Sequence, residues 1–314
     1  MRCLVTGAAG FIGSWLCEAL CDAGHEVIGL DAFIPYYPRP VKEGNLHALR
    51  EHPRFAFREA DLRTAALLPL LDGVETVYHL GGMPGLLASW TDFDLYMTCN
   101  IQATHRLLEA ARAAGSVRQF LFASTSSVYG SDATGPETTI PRPVSPYGIT
   151  KLAAEHLVRT YDAQYDLPTT ILRYFSVYGP RQRPDMGYHI FIERILRGEP
   201  ITVHGDGEQR RGSTYVADIV ATTLRATERF RRGATYNVGG SDEASANQIV
   251  ALIEEITGRE VRITFAPARP GEQQRALADT ALARERLGFA PATTMRDGLT
   301  AQVAWQREQL AASE

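Results

Sequence analysis

A chain of 314 residues, 45% hydrophobic and 22% charged, carries enough apolar mass for one large core or two intimate ones. Its formal net charge of -4 argues against a nucleic-acid surface. No apolar run reaches membrane-spanning length, and the opening Arg2-Cys3-Leu4-Val5-Thr6 leaves no room for a leader.

The four cysteines, Cys3, Cys17, Cys21 and Cys99, lack metal-ligand spacing, which predicts small buried thiols in a reducing cytoplasm and no metal. No internal repeat or low-complexity tract is visible.

Arg2 to Thr6 reads as a short apolar strand. Gly7-Ala8-Ala9-Gly10-Phe11-Ile12-Gly13 follows, then a helical pattern through Trp15, Leu16, Ala19 and Leu20 that Gly24 ends. Glu26 to Asp31 is the next strand. This strand, glycine turn, helix, strand and terminal acid make a dinucleotide cradle. Gly7 permits the turn, Gly10 the approach of backbone to pyrophosphate, and Gly13 close helix–strand packing. The helix N-terminus offers N–H groups to the phosphates. Asp31 is suited to ribose hydroxyls and repels a 2′-phosphate, and no basic residue follows until Arg39, so NAD is expected rather than NADP.

The alternation continues. Arg54 to Glu59 reads as a strand ending at Asp61-Leu62, and Thr76 to Leu80 as a strand ending at Gly81-Gly82. A helical run spans about 93–114, Phe120 to Ala123 is a strand ending at Ser124-Thr125-Ser126-Ser127, and Thr169 to Leu172 is another. Repeated strand–helix units predict an α/β fold, a Rossmann-type doubly wound parallel sheet with ligands at the carboxyl ends of its strands. His79, inside its strand, is expected to be a packed core residue.

Between the last two strands lies Ser145-Pro146-Tyr147-Gly148-Ile149-Thr150-Lys151, opening a helix. Tyr147 and Lys151 are four residues apart and share a helical face. An ammonium there favours the phenolate and predicts a base usable near neutrality. Only two lysines, Lys42 and Lys151, occur among 32 basic residues, so a compact ammonium has been kept at this point in an arginine-rich chain.

After Gly179 the elements shorten. Residues 187–197 suggest a helix, Ile201-Thr202-Val203 a strand, 218–230 a helix that rejoins the first unit, and Thr235 to Val238 a strand. Residues 245–256 and 294–309 read as helices. The expected division is a cofactor domain of 1–175, rejoined by about 216–240, and a smaller α/β domain of 176–215 and 241–314 for substrate. Arg183, Arg211 and Arg269 are candidates for neutralising a diphosphate.

These motifs resemble the extended short-chain dehydrogenase/reductase family, specifically its nucleotide-sugar epimerases and dehydratases. The resemblance rests on Thr6 to Gly13, Asp61-Leu62, Ser124 to Gly130 and Tyr147 to Lys151, together with Arg173 to Pro180 and Gly205 to Gln209. It implies Thr125, Tyr147 and Lys151 as the catalytic set, with Asn100 in their network. It implies cofactor contacts from Gly7, Gly10, Phe11, Ile12, Gly13, Asp31, Phe33, Asp61, Leu62, Leu80, Gly81, Gly82, Tyr147, Lys151, Tyr174 and Val177. Substrate contacts are implied for Pro84, Gly85, Thr125, Ser126, Ser127, Tyr147, Ser176, Gly187 and the three arginines, with backbone near Val203 on uracil and Glu272 on ribose. A homodimer through the helices near 93–114 and 147–165 is implied as well.

In such enzymes Tyr147 takes a proton from a sugar hydroxyl while the cofactor takes hydride from the same carbon, giving a 4-keto sugar. Dehydratases of the family place an Asp-Glu pair after the Thr, and uronate decarboxylases a Glu at the position of Ser127. Here Ser126 and Ser127 cannot do that acid/base work at neutral pH. Epimerisation at C4 remains. Ser126, Ser127 and Ser176 supply hydroxyl donors suited to a carboxylate, and Gly179 to Met186 resembles the uronate epimerases of the family. The expected reaction is interconversion of UDP-glucuronate and UDP-galacturonate. A UDP-glucose 4-epimerase is the nearest alternative, and a UDP-glucuronate decarboxylase a further one. An inactive NAD-sensing module is disfavoured because Tyr147 and Lys151 are both kept. The chain departs from its relatives at Gly81-Gly82 (Ala-Ala there), at Leu86-Leu87 (an Arg there) and at Gly212-Ser213 (Asp-Phe there).

Overall fold

The computed structural model describes residues 1–240, 243–267 and 275–311. Seven strands form one sheet: β1 (Arg2–Thr6), β2 (Glu26–Asp31), β3 (Phe55–Glu59), β4 (Thr76–His79), β5 (Gln119–Thr125), β6 (Thr169–Tyr174) and β7 (Ala234–Val238). Their order is β7-β6-β5-β4-β1-β2-β3, and every pairing is parallel. The chain winds outward from β1 in one direction, then returns to β4 and winds in the other. The reversal opens a crevice at the carboxyl ends of β1 and β4, where an open α/β sheet takes its ligand.

Strand alternation explains why both faces are covered. Cys3 and Val5 point to a core shared with Leu16, Leu20, Val216 and Ile219, from helices Phe11–Asp22 and Val216–Glu228. Leu4 and Val77 point the other way, onto Leu107, Leu108, Ala154 and Val158 from helices Ala103–Ala114 and Pro146–Tyr165. The cysteines are all free and buried: Cys3, Cys17 and Cys21 in the first of these cores, and Cys99 in a small cluster with Met83 and Tyr96.

The run expected as one helix over 93–114 is interrupted. Phe93–Tyr96 leads into π-helical Met97–Gln102 before Ala103–Ala114 continues. The wider turn falls at Cys99 and Asn100, which line the crevice.

The smaller unit has its own core of Ile192, Ile195, Ile201, Val203, Ile249, Ile253, Leu299 and Val303. Strand Ile201–His204 pairs in parallel with Ile263–Ala266, and Arg210–Gly212 lies between Glu243–Ser245 and Arg275–Ala276. Helix Val216–Glu228 and β7 return the chain to the large sheet, β7 pairing with β6. No helix among the described residues is long and apolar enough to cross a membrane.

Candidate active site

The glycine turn shapes one end of the crevice. Gly7 has φ +73, and a Cβ there would come within 3.0 Å of the Gly81 nitrogen. A Cβ on Gly13 would lie 2.0 Å from the Gly7 carbonyl oxygen, so only glycine lets this helix sit so close to its strand. Asp31 is pre-aimed: its Oδ2 accepts from the Ala9 amide at 3.2 Å and its Oδ1 from the Phe33 amide at 2.8 Å. Phe33 adopts φ 49 and turns its ring into the core beside Phe57, so it does not line the cavity as expected. Its contribution is the backbone N–H that orients Asp31.

Two basic residues that the sequence reading passed over stand at this end. Lys42 Nζ lies 4.0 Å from Asp31 Oδ1 and donates to the Ile34 carbonyl at 3.0 Å. Arg63 forks onto Asp61, the shortest contact being 2.7 Å. Both line the cavity, so the two lysines of the chain, Lys42 and Lys151, face one cavity. The rarity that singled out Lys151 applies equally to Lys42.

At the other end, helix Pro146–Tyr165 starts where Ser145 accepts from the Gly148 amide at 3.2 Å. Gly148 abuts the strand terminus; a Cβ there would lie 2.6 Å from the Ser127 carbonyl oxygen. The helix therefore presents Tyr147 and Lys151 to the cavity one turn apart. Burial pushes the Tyr147 phenol above its usual range, while the hydrogen-bonded Thr125 hydroxyl and the Arg183 charge pull it down. The expectation that Lys151 is the lowering charge is not met in this state. Its Nζ turns back to the Ala123 carbonyl at 2.7 Å and over the Phe122 ring at 4.2 Å. Burial draws the Lys151 ammonium down to about 8, opposed by Glu155.

Thr125, Ser126 and Ser127 are buried and line the cavity together with Ser176. The Thr125 hydroxyl donates to Ser127 Oγ at 3.3 Å and accepts from the Ser127 amide at 3.2 Å. Among the described lining residues the carboxylates are Asp31 and Asp61, both at the ends of β2 and β3. None stands beside the serines.

His79 is fully buried between Thr6 Oγ1 (2.7 Å) and Thr104 Oγ1 (2.8 Å). Burial, helped by the Lys151 charge, lowers it to about 3, so it is a neutral core residue. Thr6 Oγ1 also accepts from the Gly81 amide, and Asn100 clamps the next turn through both backbone groups of Met83 and through Thr150 Oγ1. A Cβ on Gly82 would lie 2.7 Å from Asn100 Oδ1, which gives the glycine pair a physical reason.

Gly7, Gly10, Phe11, Ile12, Gly13, Asp31, Asp61, Leu62, Leu80, Gly81, Gly82, Tyr174 and Val177 all line this cavity, as do Pro84, Gly85, Arg183 and Arg211. Gly187 does not; it begins helix Gly187–Arg197, and its neighbour Met186 reaches the wall instead. The Val203 side chain is in the core of the smaller unit, as alternation with exposed Thr202 requires. Arg269 and Glu272 lie outside the described residues.

A family model described as the NAD dependent epimerase/dehydratase family matches residues 3–239. An uncharacterised UDP-glucose epimerase, YtcB, of Bacillus subtilis (strain 168) is 46% identical, covering 97% of this chain and 98% of its own. The UDP-glucuronate 4-epimerase of Thermodesulfobacterium geofontis (strain OPF15) is 33% identical over 98% of this chain and 96% of its own. The crystal structure of UDP-glucuronic acid 4-epimerase from Bacillus cereus, in complex with UDP-glucuronic acid and NAD, superposes with a TM-score of 0.96. It is 41% identical and covers 98% of this chain and 100% of its own.

Proposed function

The chain belongs to the NAD dependent epimerase/dehydratase family, and from that premise we propose that it interconverts UDP-glucuronate and UDP-galacturonate at C4 through a transient 4-keto sugar. The observation that carries the reading is a sugar end lined by Thr125, Ser126, Ser127 and Ser176 with no lining carboxylate beside them. The residues fit NAD: the glycine turn, the helix N-terminus and a pre-aimed Asp31 match pyrophosphate and ribose. When bound, NAD supplies the acceptor and donor of hydride.

The chain's own groups do the rest. Tyr147 removes the C4 hydroxyl proton, Thr125 hydrogen-bonds the same oxygen, and Lys151 holds the nicotinamide ribose. A 4-keto uronate is a β-keto acid and loses CO2 when its carboxylate stands perpendicular to the ketone plane. Hydroxyls of Ser126, Ser127 and Ser176 hold that carboxylate away from this orientation. Arg183 and Arg211 neutralise the diphosphate. Residues 1–175 with about 216–240 serve the cofactor, and 176–215 with 241–314 the sugar nucleotide.

A second reading, a UDP-glucose 4-epimerase, draws on Leu86-Leu87, where relatives have Arg, and on the Bacillus subtilis relative's description. The ratio of kcat/KM for the two sugars separates them. UDP-glucuronate is expected to be favoured by at least about tenfold, because donors placed for a carboxylate are left unpaired by a neutral sugar. A preference for UDP-glucose, or CO2 and a pentose as products, would overturn the assignment.

The free, buried cysteines fit a reducing cytoplasm. We also infer a homodimer. Trp90 is exposed on the short helix Ala88–Thr91, Phe93 and Met97 on the helical run that follows it, and Ile149 and Tyr165 on the helix of Tyr147. Such apolar surface on neighbouring helices is what a second copy would cover. Sedimentation should give twice 34.6 kDa, and a single species of 34.6 kDa at micromolar concentration would rule the dimer out.

A further inference from the structure

Residues Gly179 to Met186 form a strap fastened to both flanks of the cavity. On one flank Arg181, held at φ 70, bonds Glu18 at 2.7 Å and Ser14 Oγ at 3.3 Å on the helix that follows the glycine turn. The Arg181 guanidinium also stacks over Trp15, whose indole donates to the Pro180 carbonyl at 3.1 Å. A non-glycine residue keeps such a conformation only where its surroundings hold it.

On the other flank Arg183 forks onto Asp185 at 2.9 and 3.0 Å, and Asp185 Oδ2 accepts from the Tyr36 hydroxyl at 3.2 Å. Tyr36 belongs to the loop that leaves Asp31, and Tyr36, Tyr37 and Asp31 all line the cavity. Arg183 lines the same cavity, and its charge is felt at Tyr147, Tyr37 and Lys42. It therefore stands between the adenosine loop and the catalytic phenol. Burial raises the Asp185 carboxyl, but its bonds to Arg183 outweigh that and leave it below its usual range, hence ionised. The fork uses two of the five guanidinium N–H groups, which leaves three to receive an anion.

We propose that Asp185 is a positioning residue that holds Arg183 for the anionic substrate, and that through Tyr36 it couples substrate binding to retention of the cofactor. One carboxylate bridges the two events. An anion on Arg183 fixes the guanidinium, the fixed guanidinium fixes Asp185, and Asp185 keeps the Tyr36 loop, with Asp31, closed on the adenosine ribose. Coupling of this kind is reciprocal, so NAD must raise substrate affinity by the factor by which substrate raises NAD affinity. The proposal rests on the reading of Arg183 as an anion-binding residue.

The test loads the enzyme with NAD labelled in the nicotinamide ring and follows release into excess unlabelled NAD, alone and with UDP-glucuronate or UDP. In the wild type, saturating UDP-glucuronate is expected to slow release by about fivefold, the effect of one partly exposed charged hydrogen bond. Asp185→Asn should release NAD about fivefold faster without any sugar nucleotide, lose the slowing, and raise KM more than it lowers kcat. Asp185→Glu should restore part of each. Tyr36→Phe, which leaves the Arg183 fork intact, should speed release and raise KM by less than Asp185→Asn does. Release from Asp185→Asn and Tyr36→Phe at the wild-type rate would overturn the proposal, as would a loss confined to kcat. The arm without sugar nucleotide does not depend on which sugar is turned over, so a wrong substrate assignment leaves it standing.

Discussion

Tyr147→Phe is expected to lower turnover of UDP-glucuronate by about a thousandfold while NAD still binds. The change removes one oxygen from a side chain that packs edge-on to Tyr96, with ring centroids 6.2 Å apart, and creates no cavity beyond that atom. The glycine turn, Asp31 and Lys42 lie at the other end of the crevice and are untouched, so calorimetry should find cofactor affinity little altered. What disappears is the group that accepts the C4 hydroxyl proton. Thr125, the neighbouring hydroxyl, has no comparable acidity and cannot replace it. Burial alone raises Tyr147, so the phenolate depends on positive charge around it. Arg183 supplies that charge, beside the hydrogen bond from the Thr125 hydroxyl. Turnover of the Phe variant within tenfold of wild type would remove Tyr147 from the role of base.

The features legible in the sequence are those tied to a period or to an irreplaceable residue type. Gly7 and Gly13 declare the cradle because no other residue fits their backbone contacts. Tyr147 and Lys151 declare a shared face because helical spacing fixes it. Features that escaped depend on where folding sends a side chain. The Lys151 ammonium lies nearer the end of β5 than its spacing suggested, because helix packing aims it at Ala123. Nothing in the residue type of Phe33 foretells φ 49, which turns its ring inward and its amide onto Asp31. Lys42 reaches the cavity across a loop and a short helix, Arg39–Asn45, whose path no local pattern encodes. Arg183 was readable as a phosphate ligand by type, but the link from its partner Asp185 to Tyr36 arises only once two units meet.

Replacing Arg173 by Leu is expected to cost about 3 to 5 kcal/mol, because it leaves the buried Glu155 carboxylate with the half-exposed Arg159, 3.3 Å away, as its remaining ion-pair partner. Arg173 and Glu155 are each 1% exposed. Glu155 Oε1 accepts from Arg173 Nε at 2.9 Å and from Ser124 Oγ at 2.5 Å, while Oε2 accepts from Arg173 Nη2 at 2.8 Å. Arg173 Nη1 donates to the Tyr129 hydroxyl at 2.7 Å, which donates in turn to Asn237 Oδ1 at 2.7 Å on β7. The pair thus ties helix Pro146–Tyr165 to β5, β6 and β7 directly behind the cavity wall at Ser124. Removing one partner leaves the other charged in a medium that solvates it poorly, whereas removing both leaves only a gap to fill. The melting temperature of Arg173→Leu should therefore fall by about 10 °C. Glu155→Leu/Arg173→Leu should recover a large part of that loss, since the coupling between touching charges is not additive. A single variant that melts within about 2 °C of wild type would show that the pair is not what holds this helix to the sheet. A double variant as unstable as the sum of the two singles would show that the stranded charge is not the source of the cost.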